Sequence, residues 1–202
     1  MGPPIHSRYN ALVLSYVKAI RIDRPQNSCQ LTHTLLFPRS KLKIASKRPG
    51  LKKLIRKAQD KPLKQVAALP FRVGSDGQTE VLLITSRDTG RWIIPKGWPM
   101  IGRKAHRAAE REAFEEAGLT GQIAADPVGW YRYEKRLAHG LALPCKVRVY
   151  PLRVETQHTR WPEQAQRTLR WFAPEDAARL VHEDELRLLL AGFAPGSSEG
   201  CA

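Results

Sequence analysis

Cysteines and long apolar runs are both scarce in this sequence. The three cysteines, Cys29, Cys145 and Cys201, contain no pair with metal-ligand spacing, and their odd number excludes a disulfide framework. The longest apolar stretch, from Ala11 to Ile20, covers about ten residues and contains Lys18, so it is too short for a membrane span. These features predict a cytoplasmic protein in a reducing compartment, with no membrane partner.

Acidic residues are almost absent from the first third of the chain. Residues 1–65 hold 15 lysines and arginines against 2 acids, a net charge of +13, whereas the remainder holds 19 basic and 17 acidic residues, a net charge of +2. Prolines interrupt this region and no helical or strand period is sustained, so residues 1–62 are predicted to be a basic, disordered extension. Three interpretations stay open: a targeting segment, an electrostatic arm for nucleic acid or polyphosphate, or an extension without a role.

Residues 63–192 have the pattern of a folded domain, and residues 193–202 are predicted to be a disordered tail. A hairpin, a short strand, a glycine loop and a helix come first, followed by further strands and two helices. The predicted elements are strands at Val66–Phe71, Glu80–Thr85, Trp92–Ile94, Val128–Tyr133, Lys146–Val154 and Thr168–Phe172, a loop at Lys96–Gly102, and helices at Lys104–Ala117, Pro174–Val181 and Glu185–Ala191. This order predicts an α/β fold in which helices pack on a mixed β-sheet.

Three carboxylates are predicted to share one face of the first helix. Glu112, Glu115 and Glu116 stand at positions i, i+3 and i+4, which are neighbours on a helical surface. Like charges repel, and a hard divalent cation, which prefers oxygen ligands, is a good reason to crowd them. Without further context, a solvated face stabilised by pairs with Arg111 explains the same pattern.

The residues that precede the helix favour the metal site. The strand Trp92–Ile94 leads into Pro95, Lys96 and Gly97, and the helix follows this glycine loop. The loop backbone and Lys96 can approach an anionic phosphate closely, and the helix then presents the metal. Phosphate and cation would therefore lie within reach of each other.

From Gly97 to Leu119 the sequence resembles the signature of the Nudix hydrolases. That signature reads Gly, five residues, Glu, seven residues, Arg-Glu, a hydrophobic residue, any residue, Glu-Glu, any residue, Gly and a hydrophobic residue. Residues Arg111 to Leu119 match it in register, whereas Arg103 replaces its first Glu. Trp92–Gly97, Trp161–Glu163 and Arg170–Phe172 are similar to the diphosphoinositol polyphosphate phosphohydrolase branch of that family.

The resemblance implies a Nudix-type α/β/α sandwich and a hydrolase that uses Mg²⁺ or Mn²⁺ to cleave phosphoanhydride bonds. The expected substrates are small anionic phosphates, namely diadenosine polyphosphates or diphosphoinositol polyphosphates. The alternatives are a non-catalytic module that binds an anionic ligand or RNA through the basic arm and, more weakly, an RNA-decapping enzyme. The expected residues are Glu112, Glu115 and Glu116 for the metal, Glu115 and Glu116 for catalysis, and Lys96, Gly97, Arg91 and Arg72 for substrate binding.

Overall fold

The computed structural model describes residues 62–136 and 142–195 of the chain. The chain divides into two compact units, and the described residues 64–134 and 145–195 belong to one of them. The extension predicted for residues 1–62 and most of the predicted tail lie outside the described residues. Within the described ranges, no helix is long and apolar enough to cross a bilayer.

The predicted hairpin is confirmed. Strand β1 (Leu63–Val73) pairs antiparallel with β2 (Thr79–Thr85), and Phe71 lies opposite Val81. Gly77, in the turn between them, has φ of 76°, a conformation that glycine adopts without steric cost. Both strands are apolar along their centres because other elements cover both faces of the sheet.

The segment after the hairpin differs from the prediction at Ile94, which lies outside the strand, and at Lys96 and Gly97. Strand β3 (Trp92–Ile93) pairs antiparallel with β2, as the apolar run predicts. Lys96–Gly97, predicted to begin a loop, instead forms a short strand, β4, which pairs antiparallel with β1. The carbonyl of Pro95 accepts a hydrogen bond of 3.0 Å from the amide of Ala68, so the ladder continues past the proline.

The predicted long helix and its glycine cap are both confirmed. Helix α1 (Ala105–Ala117) is rich in alanine, glutamate and arginine, which have high helix propensity. Gly118 follows it with φ of 68° and donates its amide to the carbonyls of Ala113 and Phe114. A left-handed glycine at this position terminates the helix and satisfies carbonyls that would otherwise lack partners.

A short 3₁₀ helix at Gln164–Gln166 was not predicted, whereas the remaining described strands and α-helices follow the prediction with one addition. They are β5 (Leu119–Ile123), β6 (Gly129–Arg136), β7 (Ala142–Gln157), β8 (Leu169–Phe172), α2 (Pro174–Leu180) and α3 (Asp184–Ala191). The sequence did not predict β5, because Gly121 lies inside it. A side chain at Gly121 would overlap with the backbone of Arg153 on β7, and the strand pairing shifts register at this point. Glycine here therefore serves a close backbone approach.

The described strands form one sheet in the order β3–β2–β1–β7–β5, in which β4 pairs with β1, β6 with β7 and β8 with β2. One apolar core lies between the sheet and α1, where it contains Ala109, Ala113 and Leu152. The other contains Leu83 from the sheet and Leu186 from α3. The predicted α/β/α sandwich with a mixed sheet is confirmed, because helices cover both faces of the sheet.

Candidate functional site

Glu116 is a buried carboxylate on α1 that reaches β4. Its side chain is 7% exposed, and its Oε2 accepts a hydrogen bond of 2.9 Å from the backbone amide of Lys96. Charged side chains are seldom buried to this extent unless they are paired. The carboxylate of Glu116, which the sequence predicts to bind the metal and to take part in catalysis, therefore links α1 to β4.

Glu112 lies against the next residue of the same strand. A methyl group placed on Gly97 would overlap with the carboxyl group of Glu112. Val66 on β1 pairs with Gly97, so Gly97 faces the α1 side of the sheet, where Val66 is buried. The glycine is thus required at this position because it leaves room for the carboxylate.

Glu115 points elsewhere. It accepts a hydrogen bond of 2.5 Å from Nε of Arg111, and the two side chains are 33% and 52% exposed respectively. Within the described ranges, no group of three or more His, Cys, Asp and Glu side chains is arranged to hold a metal ion. The sequence predicts that three carboxylates converge. In the structure two of them, Glu112 and Glu116, meet at β4.

The pKa of Glu116 reflects opposing influences. Burial raises it above its ordinary value, whereas the positive charges of Arg167 and Lys96 and the hydrogen bond from the Lys96 amide lower it. The charge of Glu163 acts in the same direction as burial. The balance is a raised pKa, so the carboxylate form of Glu116 depends on the cations around it.

Arg167 is the cation in closest contact with Glu116. Its side chain is 4% exposed, and its Nη2 donates to Oε1 of Glu116. Its Nε donates to Oε2 of Glu163 at 2.9 Å, and its Nη1 donates to the carbonyl of Thr85 at 3.0 Å. Each of its three guanidinium nitrogens thus has an acceptor, as a buried arginine requires.

The segment that carries Arg167 is fastened to the end of α1. The amide of His158 donates to the carbonyl of Gly118 at 2.8 Å, and the amide of Glu163 donates to the carbonyl of Glu115 at 3.1 Å. The Trp161 ring lies over Gly118, where a methyl group would come within 2.7 Å of it. The Trp161 ring therefore packs against the end of α1.

The side chain of Lys96 lies on the opposite face of the sheet from Gly97. Lys96 pairs with Ala67, which belongs to the core under α2 and α3. Its Nζ lies 5.3 Å from the centroid of the Tyr133 ring, and the Tyr133 hydroxyl donates to Oε1 of Gln65 at 2.6 Å. Burial raises the pKa of Tyr133 well above its usual range. Lys96 thus presents its backbone amide to Glu116 and its ammonium group to the other face of the sheet.

The arginines predicted to bind substrate lie outside this group. Arg91 donates to Thr89 at 3.1 Å, and its Nη1 lies 3.9 Å from a carboxylate oxygen of Glu183. Arg72 donates to Glu80 at 2.7 Å and stacks 4.3 Å from the centroid of the Trp171 ring. A substrate-binding role for either arginine remains a prediction that the geometry does not support.

Arg103, which replaces the first Glu of the signature, is exposed, and its amide donates to the carbonyl of Met100 at 3.2 Å.

The sequence interpretation missed Arg167, which contacts Glu116 from 51 positions further along the chain. No local period connects the two, so only the fold brings them together.

The donor set fits a divalent cation in its chemistry. Carboxylate oxygens are the ligands that Mg²⁺ and Mn²⁺ prefer, and Glu112 and Glu116 meet at adjacent residues of β4. Glu115, on the same helix, supplies a third carboxylate that is held by Arg111 in this structure.

Comparison with known proteins places residues 63–193 in the NUDIX domain family. "Nudix hydrolase 21, chloroplastic" of Arabidopsis thaliana is 32% identical over 133 residues, which are 63% of this chain and 64% of that protein. "Diphosphoinositol polyphosphate phosphohydrolase 3-beta" of Bos taurus is 32% identical over 148 residues, 69% of this chain and 85% of that protein. The chain thus spans less than two thirds of the plant relative and most of the bovine one.

Among solved structures, a C. elegans Ap4A hydrolase aligns with a TM-score of 0.47 and 24% identity, over 64% of this chain and 94% of that one. The family model covers more than half of the chain, and the residues it matches include β4, α1 and the segment that carries Arg167. This chain belongs to the Nudix family.

Proposed function

We propose that this chain is a divalent-metal-dependent hydrolase that cleaves phosphoanhydride bonds in a small, highly anionic substrate. The observation that carries the proposal is the meeting of Glu112 and Glu116 with adjacent residues of β4, in a chain that belongs to the Nudix family. Two carboxylates of one helix that meet at a short strand offer the oxygen ligands that a divalent cation takes.

Glu112, Glu115 and Glu116 are the residues that would hold the cation. When bound, Mg²⁺ or Mn²⁺ supplies neutralisation of phosphate charge and lowers the pKa of a water molecule. Glu116 is held in place by the Lys96 amide and by Arg167, whereas Glu115 is partly exposed and has one partner, Arg111. Either carboxylate can serve as the base that accepts the proton of the attacking water.

The substrate class rests on the sequence resemblance and on one named relative. Diphosphoinositol polyphosphates are proposed because the bovine relative bears that name and is covered over 85% of its length. Diadenosine polyphosphates are proposed from the resemblance of the tryptophan- and arginine-containing segments after β7. Both classes carry clustered phosphates, whose charge a divalent cation held at Glu112 and Glu116 would neutralise.

A phosphate-release screen tests the proposal. The full chain is assayed with Mg²⁺, with Mn²⁺ and with a chelator, against diadenosine polyphosphates, inositol pyrophosphates, nucleoside triphosphates and capped RNA. The expected result is metal-dependent release from one of the first two classes. Metal-independent, salt-sensitive binding of RNA without phosphate release would favour the binding module instead. Release from capped RNA alone would overturn the proposed substrate class.

A further inference from the structure

Arg167 contacts the Glu116 carboxylate directly from outside α1. Its guanidinium is buried between Glu116, Glu163 and the carbonyl of Thr85. A guanidinium withdrawn from water in this way requires acceptors in all of its donor directions, and the three acceptors lie in three different parts of the chain. The arginine is therefore fixed by the fold rather than by its own helix or strand.

The surroundings of Arg167 are themselves anchored. Arg87 donates to the other oxygen of Glu163 at 3.0 Å, so Glu163 is held between two arginines. The Glu163 amide is bonded to the carbonyl of Glu115 at the end of α1. Movement of the Arg167 guanidinium away from Glu116 would therefore also break its contacts with Thr85 on β2 and with Glu163.

The two oxygens of Glu116 have separate partners as a result. Oε2 accepts from the Lys96 amide at 2.9 Å, and Oε1 accepts from Arg167. Two donors on opposite oxygens leave the carboxylate one orientation, whereas Glu115 is held by a single exposed arginine. A metal ligand that is oriented before the cation arrives loses less conformational freedom on binding.

We propose that Arg167 is a positioning residue for Glu116, which fixes the orientation of this carboxylate for a divalent cation without itself touching the substrate. The assignment rests on the proposed metal-dependent function. Partners that orient a metal ligand contribute on the order of 10- to 100-fold to metal affinity or activity. The contribution of Arg167 should therefore be measurable in cation binding alone, and it should pass through Glu116.

The test is a double-mutant cycle on Mn²⁺ affinity, measured by electron paramagnetic resonance of free Mn²⁺ in titrations of the full chain. Arg167→Met is expected to weaken Mn²⁺ binding on the order of tenfold. In the Glu116→Gln background the same change is expected to have no further effect, because the carboxylate through which Arg167 acts is gone. Arg170→Met is the matched control, since Arg170 is an exposed arginine of β8 that lies 5.1 Å over Phe172, and it should leave affinity unchanged.

Arg167→Lys provides a second variant that keeps the charge, in case Arg167→Met does not fold. It should retain part of the affinity, because one ammonium cannot reach three acceptors at once. An equal loss in both backgrounds, wild-type affinity in both Arg167 variants, or no Mn²⁺ binding by the unmodified chain would each overturn the assignment. If the coupling is found but no phosphoanhydride is hydrolysed, the proposed function fails while the positioning role stands.

Discussion

Two arginine–glutamate ion pairs, near the two ends of β1, have the same composition and opposite surroundings. Arg167 and Glu116 are 4% and 7% exposed and lie beside β4, which pairs with the first half of β1. Arg72 and Glu80 are 44% and 32% exposed and lie beside the hairpin turn. The six residues of β1 from Ala67 to Arg72 span roughly 17 Å.

This difference indicates that the burial of an arginine–glutamate pair, and not its residue types, marks the candidate site. An exposed pair gains about 0–1 kcal/mol, because water screens it and both side chains lose freedom. A buried pair gives up the hydration of both charges, so the structure gains little from having it in place of apolar residues. A pair retained in such a position has a reason other than stability, and the adjacent carboxylates and glycine of β4 provide one.

The largest effect on stability is expected for Arg167→Met. This change leaves Glu116 buried without its cation, which costs about 3–5 kcal/mol of the free energy of unfolding. A domain with a stability of about 5–15 kcal/mol would remain folded in most of that range. Urea denaturation followed by circular dichroism measures the change. A loss under about 1 kcal/mol would place the buried pair in the same class as an exposed one.

A smaller loss of stability is expected for Gly97→Ala. The added methyl group would overlap with the Glu112 carboxyl, so the helix or the carboxylate must shift. Overpacking of this kind costs about 1–3 kcal/mol, and metal-dependent hydrolysis should fall because Glu112 is displaced. Gly192→Ala is the control for the loss of a glycine, because Gly192 has φ of −93° and an added methyl group would meet its nearest neighbour at 3.4 Å. Unchanged activity of a folded Gly97→Ala would show that Glu112 need not stay where the structure places it.

The smallest change in stability and activity is expected for Arg72→Met, at the exposed end of β1. The pair with Glu80 is exposed, so the free energy of unfolding should change by less than about 1 kcal/mol. The rate of hydrolysis should be unchanged, because Arg72 lies near the other end of β1 from the carboxylates. Steady-state kinetics on the substrate found in the screen check this. A large rise in KM would restore the substrate-binding role that the sequence suggested for Arg72.

The sequence was informative where the signal is local. The spacing of Glu112, Glu115 and Glu116 follows from the helical repeat, and Gly118 marks the end of α1 because a left-handed residue is needed there. The hairpin was equally local, since a glycine turn separates two apolar strands. The helical features depend on residues within about one or two helical turns of each other, and the hairpin depends on two strands that follow each other in the chain.

The parts that escaped prediction depend on distant residues. Strand β4 exists because β1 offers partners to Lys96 and Gly97, and β5 exists although Gly121 interrupts its pattern. The direction of Glu115 is set by Arg111, whereas that of Glu116 is set by Arg167 and β4. Adjacent glutamates thus acquire different surroundings, which the helical repeat alone does not distinguish.

The most direct test of the central claim compares Glu116→Gln with Glu80→Gln. Both replace the acidic member of an arginine pair, one buried beside β4 and one exposed at the hairpin. With Mg²⁺ or Mn²⁺ present and the fold verified by circular dichroism, Glu116→Gln should lower kcat by at least about 100-fold, the lower range for loss of a group that transfers protons or holds the reacting centre. Glu80→Gln should keep the unmodified rate. Equal rates in the two variants would contradict the assignment of the buried carboxylate to the catalytic centre.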